Sequence, residues 1–153
     1  MSLQKTKGTR FESALAEYAR MRTGEPRIHR VVLHGRNDLG DVGDIPAHGF
    51  TGIAECKNYK PRNKSGVPPN GLLDRWMAET SAEQRNSGSD FALLVVHRPR
   101  RSDRDASAAS FSENWCWLTL RSLYRVSGRD DEPDNPEAWV CKTVGEIFDL
   151  IVG

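Results

Sequence analysis

Gly40-Asp41-Val42-Gly43-Asp44-Ile45, followed by Pro46-Ala47-His48-Gly49 and then Ile53-Ala54-Glu55-Cys56-Lys57, is the stretch whose reading decides the fold. Pro46 to Gly49 has turn chemistry, so the segments on either side should pair as an antiparallel hairpin. Residues alternate along a strand, which sends Glu55 and Lys57 to one face and Ala54 and Cys56 to the other. A turn centred near His48 sets Asp41 opposite Glu55, with the two Cβ atoms roughly 5 Å apart. A turn centred one or two residues later sets Asp44 there instead. Asp41 is the preferred partner and Asp44 its rival.

Two carboxylates this close repel unless a cation joins them. Oxygen donors suit Mg²⁺, with Mn²⁺ as a substitute. Such an ion acidifies a bound water and stabilises charge on a phosphorane-like transition state, while Lys57 orients the water or neutralises the same oxygens. The chemistry served by that set is phosphodiester hydrolysis. The bland alternative is an exposed hairpin with Lys57 paired across the sheet.

Outward from the hairpin, the coarse order is α-β-β-β-α-β followed by a short tail. Phe11, Leu15, Tyr18 and Ala19 recur at helical spacing over Glu12–Met21, which ends at Thr23-Gly24-Glu25-Pro26. Ile28–Leu33 is β-rich. Leu72–Asn86 places Leu72, Leu73, Trp76, Met77 and Thr80 on one face and stops at Asn86-Ser87-Gly88. Phe91–Val96 is a continuous apolar run, as expected of a buried central strand. Residues 99–113 read as a flexible linker, Trp115–Leu120 as a strand, Arg121–Val126 as a helical turn, Arg129–Pro136 as an acidic loop, and Val144–Val152 as a closing helix. The expectation is one domain over residues 1–153, with its core at about 5–100 and a C-terminal strand and helix in 114–153.

These motifs resemble the PD-(D/E)xK nuclease superfamily, and within it the Holliday-junction-resolvase-type enzymes and small phage-borne relatives. Lys7-Gly8-Thr9-Arg10-Phe11-Glu12 is similar to the family's opening helix, Gly35 to Val42 to its acidic turn, and Glu55-Cys56-Lys57-Asn58 to its core motif. Trp76–Arg85, with Gln84 near the family's Gln, and Phe91–His97 complete the match, over roughly residues 5–100. The loop between Asp41 and Glu55 is slightly longer than the family pattern.

The resemblance implies a three-layer α/β/α restriction-endonuclease-like core with a mixed central sheet. It implies Glu12, Asp41 (or Asp44) and Glu55 as metal-site carboxylates, the Cys56 carbonyl as a further ligand, Lys57 as the catalytic lysine, and Gln84 as an accessory group. Thr9-x-x-Glu12 is also a capping-box pattern, which leaves Glu12 open between cap and ligand. A helical Gln is also commonly just solvated. The activity implied is metal-dependent DNA cleavage, in branched DNA such as four-way junctions. Two symmetric cuts would require a homodimer. The alternatives are a restriction-type or flap-cutting nuclease on the same core, or a DNA-binding module that has lost catalysis.

The charges are arranged to suit a phosphate backbone. Net charge is only +1, but residues 1–64 hold twelve Lys/Arg against seven Asp/Glu, and the remainder holds ten against fourteen. Arg10, Arg36, Lys60, Arg62 and Lys64 form the expected basic rim, and Arg98, Arg100, Arg101 and Arg104 form a second cluster. The three cysteines and four histidines lack metal-type spacing, so zinc is not expected. No phosphate-binding Gly-x-x-x-x-Gly-Lys-Ser/Thr loop supports a nucleotide cofactor. No apolar run approaches the ~20 residues a membrane span needs, and the N-terminus is polar. These features point to a reducing cytoplasm, and the resemblance implies that of a bacterial or phage-infected cell; the tryptophans are expected mostly to pack in the core.

Overall fold

The computed structural model describes residues 3–32, 40–60, 67–99 and 108–153, with backbone alone at 3–7 and 108–109. The chain is α/β, with a six-stranded mixed sheet in the order β1 to β6. Its elements are α1 (Leu3–Thr23), β1 (His29–Arg30), β2 (Val42–Ala47), β3 (Phe50–Lys57), α2 (Asn70–Ser87), β4 (Phe91–Val96), α3 (Ala108–Phe111), β5 (Trp115–Thr119), α4 (Leu120–Val126), β6 (Trp139–Thr143) and α5 (Val144–Val152). The first six follow the expected α-β-β-β-α-β order. β3 and β4 are parallel, joined through α2, and every other neighbouring pair is antiparallel.

Local chemistry explains most of the boundaries. His48 and Gly49, with φ of 50° and 89°, form the two-residue turn between β2 and β3, and positive φ at both positions suits the right-handed twist of a hairpin. Gly88 closes α2 in the left-handed region at φ 68°, its N–H bonding back into the last turn. Thr143 and Glu146 form a capping box at the start of α5, with bonds of 3.2 and 2.9 Å.

Four expectations are corrected. The first helix begins at Leu3, not near Glu12, so Thr9 lies well inside it and the Thr9–Glu12 capping box does not form. Of the strand expected over Ile28–Leu33, β1 covers only His29–Arg30 among the described residues, and Leu33 lies outside them. The stretch read as linker contains the short α3. β6 is an additional strand: Trp-Val-Cys-Lys-Thr alternates only weakly and follows an acidic loop, and its pairing with β5 makes it a strand.

Helices cover both faces of the sheet. On one face Leu73 and Trp76 of α2 pack against Leu94, Val96 and Trp117. On the other, Phe11, Leu15 and Ala19 of α1 and Ile147, Phe148 and Ile151 of α5 pack with Ala54, Leu93, Val95 and Leu118. Each fully buried Leu, Ile or Phe contributes on the order of 2 kcal/mol, so these two clusters hold the sheet between its helices. β4 is buried at all six positions, as its apolar run requires. No helix among the described residues is long and apolar enough to cross a membrane.

The β3–β4 pairing depends on Gly52. A Cβ at this position would overlap the ring of Phe91, its register partner, which is fully buried. Gly52→Ala is therefore expected to destabilise the fold by about 2–3 kcal/mol. Denaturant unfolding reads this directly, and an unchanged midpoint would contradict the packing.

Candidate active site

The site is assembled by a β-bulge. From the turn outward, Ala47 pairs with Phe50, Pro46 with Thr51 and Ile45 with Gly52, but Val42 then pairs with Ala54. Gly43 and Asp44 thus stand against Ile53 alone, two residues against one. Without that extra residue Val42 would oppose Glu55. With it, the next position carries Asp41 to Glu55, and the two carboxyl groups come within hydrogen-bonding contact. Gly40 makes the approach at φ 88°, and a Cβ there would lie 3.1 Å from Ile53 Cδ1.

Asp44 is displaced by the same bulge. It adopts φ 59°, its side chain is 58% exposed, and its Oδ2 lies 3.5 Å from His29 Nδ1. The bulge turns it away from Glu55, so of the two rivals Asp41 is the acid that meets Glu55.

Asp41 and Glu55 form a strained pair. Glu55 is only 6% exposed, and its Oε2 is buried with no hydrogen-bond partner. Asp41 Oδ2 accepts the Cys56 N–H at 2.8 Å, yet burial, and then the charges of Glu55 and Glu12, push the Asp41 carboxyl up to about 8. The Cys56 thiol packs against the α1 side of the sheet. Burial first, then the neighbouring carboxylates, raise it well above its ordinary range, which makes it a poor nucleophile. In an extended strand the N–H and C=O of one residue point the same way. The Cys56 carbonyl therefore faces the edge where its N–H meets Asp41.

Lys57 lies on the same face as Glu55. Its ammonium is 3.0 Å from Glu55 Oε1 and 3.0 Å from Glu79 Oε2, and 6.0 Å from the centre of the Trp76 ring. Burial works against the charge, but the two carboxylates outweigh it and raise the Lys57 pKa, so the side chain is a fixed cation.

Glu12 stands beside this group without joining it. Its Oε2 accepts from Arg30 at 3.1 and 3.3 Å, while its charge still opposes ionisation of Asp41. Among the described residues no three His, Cys, Asp or Glu side chains close on a point that would hold a metal. The donor chemistry nonetheless fits a hard divalent cation. A half-buried and a buried carboxyl group adjoin, the buried one with an orphaned oxygen, and Arg30 would have to release Glu12 for a third to enter.

Gln84 is corrected. It donates to the Ser89 carbonyl at 3.3 Å and so ties down the end of α2. Five residues of helix turn it roughly 140° away from Glu79, which is the α2 residue that reaches Lys57. Trp76, Glu79, Thr80 and Glu83 are spaced 0, +3, +4 and +7, and Trp76, Thr80 and Glu83 are buried. That pattern was readable as one face in the sequence, but only the packing of α2 on β3 shows which residue meets Lys57.

A cleft of about 490 Å³ opens at the end of β3, lined by Gly8 of α1, Lys57, Asn58, Tyr59, Lys60 and Trp76 with Cys56. Tyr59 packs edge-on against Trp76 at 5.5 Å. Lys60 and Arg10 are exposed, while Arg36, Arg62, Lys64, Arg100, Arg101 and Arg104 lie outside the described residues. The Arg98 guanidinium sits 4.0 Å from the centre of the Trp115 ring. Trp76 and Trp117 are buried, and Trp115 and Trp139 are half-buried.

The comparisons with known proteins add no relative: no family model, no curated protein and no solved structure matches the chain.

Proposed function

We propose that this chain is a metal-dependent DNA endonuclease built on a three-layer α/β/α, restriction-endonuclease-like core, and that it acts on branched DNA such as four-way junctions. One observation carries the reading. A bulge places Asp41 against a buried Glu55 whose open oxygen has no partner, with Lys57 3.0 Å away. A hairpin that served only stability would gain by replacing buried Glu55 and its half-buried partner Asp41 with apolar residues.

Asp41, Glu55 and the Cys56 carbonyl are the groups that would hold Mg²⁺ or Mn²⁺, with Glu12 available once it leaves Arg30. When bound, the cation supplies an acidified water and neutralises charge on the phosphate. Lys57 presents a permanent positive charge beside Glu55, where it orients the attacking water or a non-bridging oxygen. The cleft carrying Tyr59 and Lys60 takes the strand next to the cut, Lys60 meeting a phosphate. Exposed Arg10 serves the same rim.

Junction resolution would require two copies related by a two-fold axis. Among the described residues, β5 and α5 leave little free face for such a contact. β5 lies inside the sheet, and α5 spends its apolar residues on its own core. β6 is the free edge on that side.

The test is cleavage of a labelled four-way junction beside linear duplex and single strand, with Mg²⁺ or Mn²⁺ and with chelator. Paired symmetric nicks in the junction alone are expected. Cutting of every substrate keeps the nuclease and removes the junction role, giving a restriction-type or flap-type enzyme. No cutting reduces the chain to a DNA-binding module.

A further inference from the structure

Lys57 is shared between two carboxylates that belong to different parts of the fold. Glu55 is on its own strand, two residues back, and is nearly buried. Glu79 comes from α2, and its side chain is 43% exposed. The ammonium sits 3.0 Å from each, and the Trp76 ring stands 6.0 Å off. Glu55 is thus half used. Oε1 holds the ammonium, while buried Oε2 has no partner.

A divalent cation and an ammonium compete for one carboxylate. Were Lys57 held by Glu55 alone, a metal arriving at Glu55 would break that ion pair and leave a largely buried ammonium facing a new positive charge. Glu79 changes that balance. It already bonds the ammonium from the side away from the sheet, so Lys57 can leave Glu55 without losing its anionic partner.

We propose that Glu79 is a positioning residue: it receives Lys57 when a divalent cation takes Glu55, and it holds the ammonium at the distance from the reacting phosphate that turnover needs. In the metal-free protein Lys57 is the resident cation of the site, and Glu79 makes its displacement reversible. This rests on reading Lys57 and Glu55 as the site's working pair.

The experiment is a double-mutant cycle between Glu79→Gln and Lys57→Ala, read first by calorimetric Mn²⁺ titration without DNA. Glu79→Gln should weaken Mn²⁺ binding about tenfold in the wild-type background, roughly 1.4 kcal/mol. It should do much less where Lys57 is already alanine, because no ammonium then needs a second home. Glu79→Asp, which keeps the charge but withdraws it, should fall between. A purely structural or long-range role predicts the same loss in both backgrounds, and that result, or no loss in the wild-type background, overturns the proposal. The second reading is cleavage, where Glu79→Gln should lower kcat about tenfold or more with KM for DNA unchanged. Coupling in the Mn²⁺ titration together with no cleavage of any DNA would leave the Lys57 exchange standing and remove the nuclease reading instead.

Discussion

Lys57→Ala should lower the single-turnover rate of DNA cleavage by about a thousandfold or more while leaving DNA affinity, measured with Ca²⁺ in place of Mg²⁺, close to that of the wild type. The expected split follows from where the side chain lies. Lys57 is three-quarters buried between Glu55 and Glu79, and its ammonium is committed to both, so little of it is available to hold a DNA backbone from outside. Lys60 and Arg10 are exposed, and under the proposed function that burden would fall to them. A charge fixed beside the reacting phosphate acts on the transition state more than on the bound substrate, and its loss therefore appears in kcat. A Lys57→Ala protein that cleaves at the wild-type rate would show that this Glu-x-Lys is not the working motif.

Asp41→Asn should raise the melting temperature of the metal-free protein at pH 8 and remove its stabilisation by Mn²⁺. The Asp41 carboxyl is held up to about 8, from an ordinary 3.8, by burial and by Glu55. The unfolded chain gives up this proton near pH 4, and the folded chain keeps it until near pH 8. Over that window the folded state binds more protons, so stability falls as pH rises. The cost is absent below pH 4 and complete above pH 8. Every tenfold difference in proton affinity between the folded and unfolded chain corresponds to about 1.4 kcal/mol. With allowance for relaxation and solvent at a partly accessible group, a gain of about 2 kcal/mol at pH 8 is reasonable, enough to move the melting temperature by several degrees in a chain of this size. At pH 4 the variant and the wild type should melt together.

Adding Mn²⁺ reverses the comparison. Under the proposed function the wild type should bind the ion and gain melting temperature, and the variant, short of one anionic ligand, should not. Asp44→Asn is the matched control. Its side chain is exposed on the far side of the bulge, so it should respond to pH and to Mn²⁺ as the wild type does. If Asp41→Asn melts with the wild type at pH 8, the buried carboxylate pair is not as described.

How much of this was legible in the sequence depends on how far apart the interacting residues are. Alternation along Ile53–Lys57 sends Glu55 and Lys57 to one face whatever surrounds them, and Pro46 to Gly49 marks the turn. The apolar run Phe91–Val96 identifies a strand buried on both sides, and Gly88 marks the end of α2. These follow from local periodicity and backbone preference, which a chain carries in its order of residues. The α-β-β-β-α-β sequence of elements belongs with them.

The choice between Asp41 and Asp44 was different in kind. A one-residue slip moves every side chain of a strand to the opposite face, and nothing local announced that Gly43 and Asp44 would bulge against Ile53. Likewise, helical spacing alone could not say whether Glu79 or Gln84 would reach the active strand, because that depends on the rotation of α2 as Leu73 and Trp76 seat on Leu94, Val96 and Trp117. Arg30 capturing Glu12, and β6 completing the sheet beside β5, are also contacts between distant parts of the chain. By itself, then, the sequence determined the order of elements from α1 to β4, the turn and the face shared by Glu55 and Lys57, because those rest on neighbours a few residues apart. Only the tertiary structure decided the register that brings Asp41 to Glu55 and the helix rotation that brings Glu79 to Lys57, because both are set by packing across the whole core.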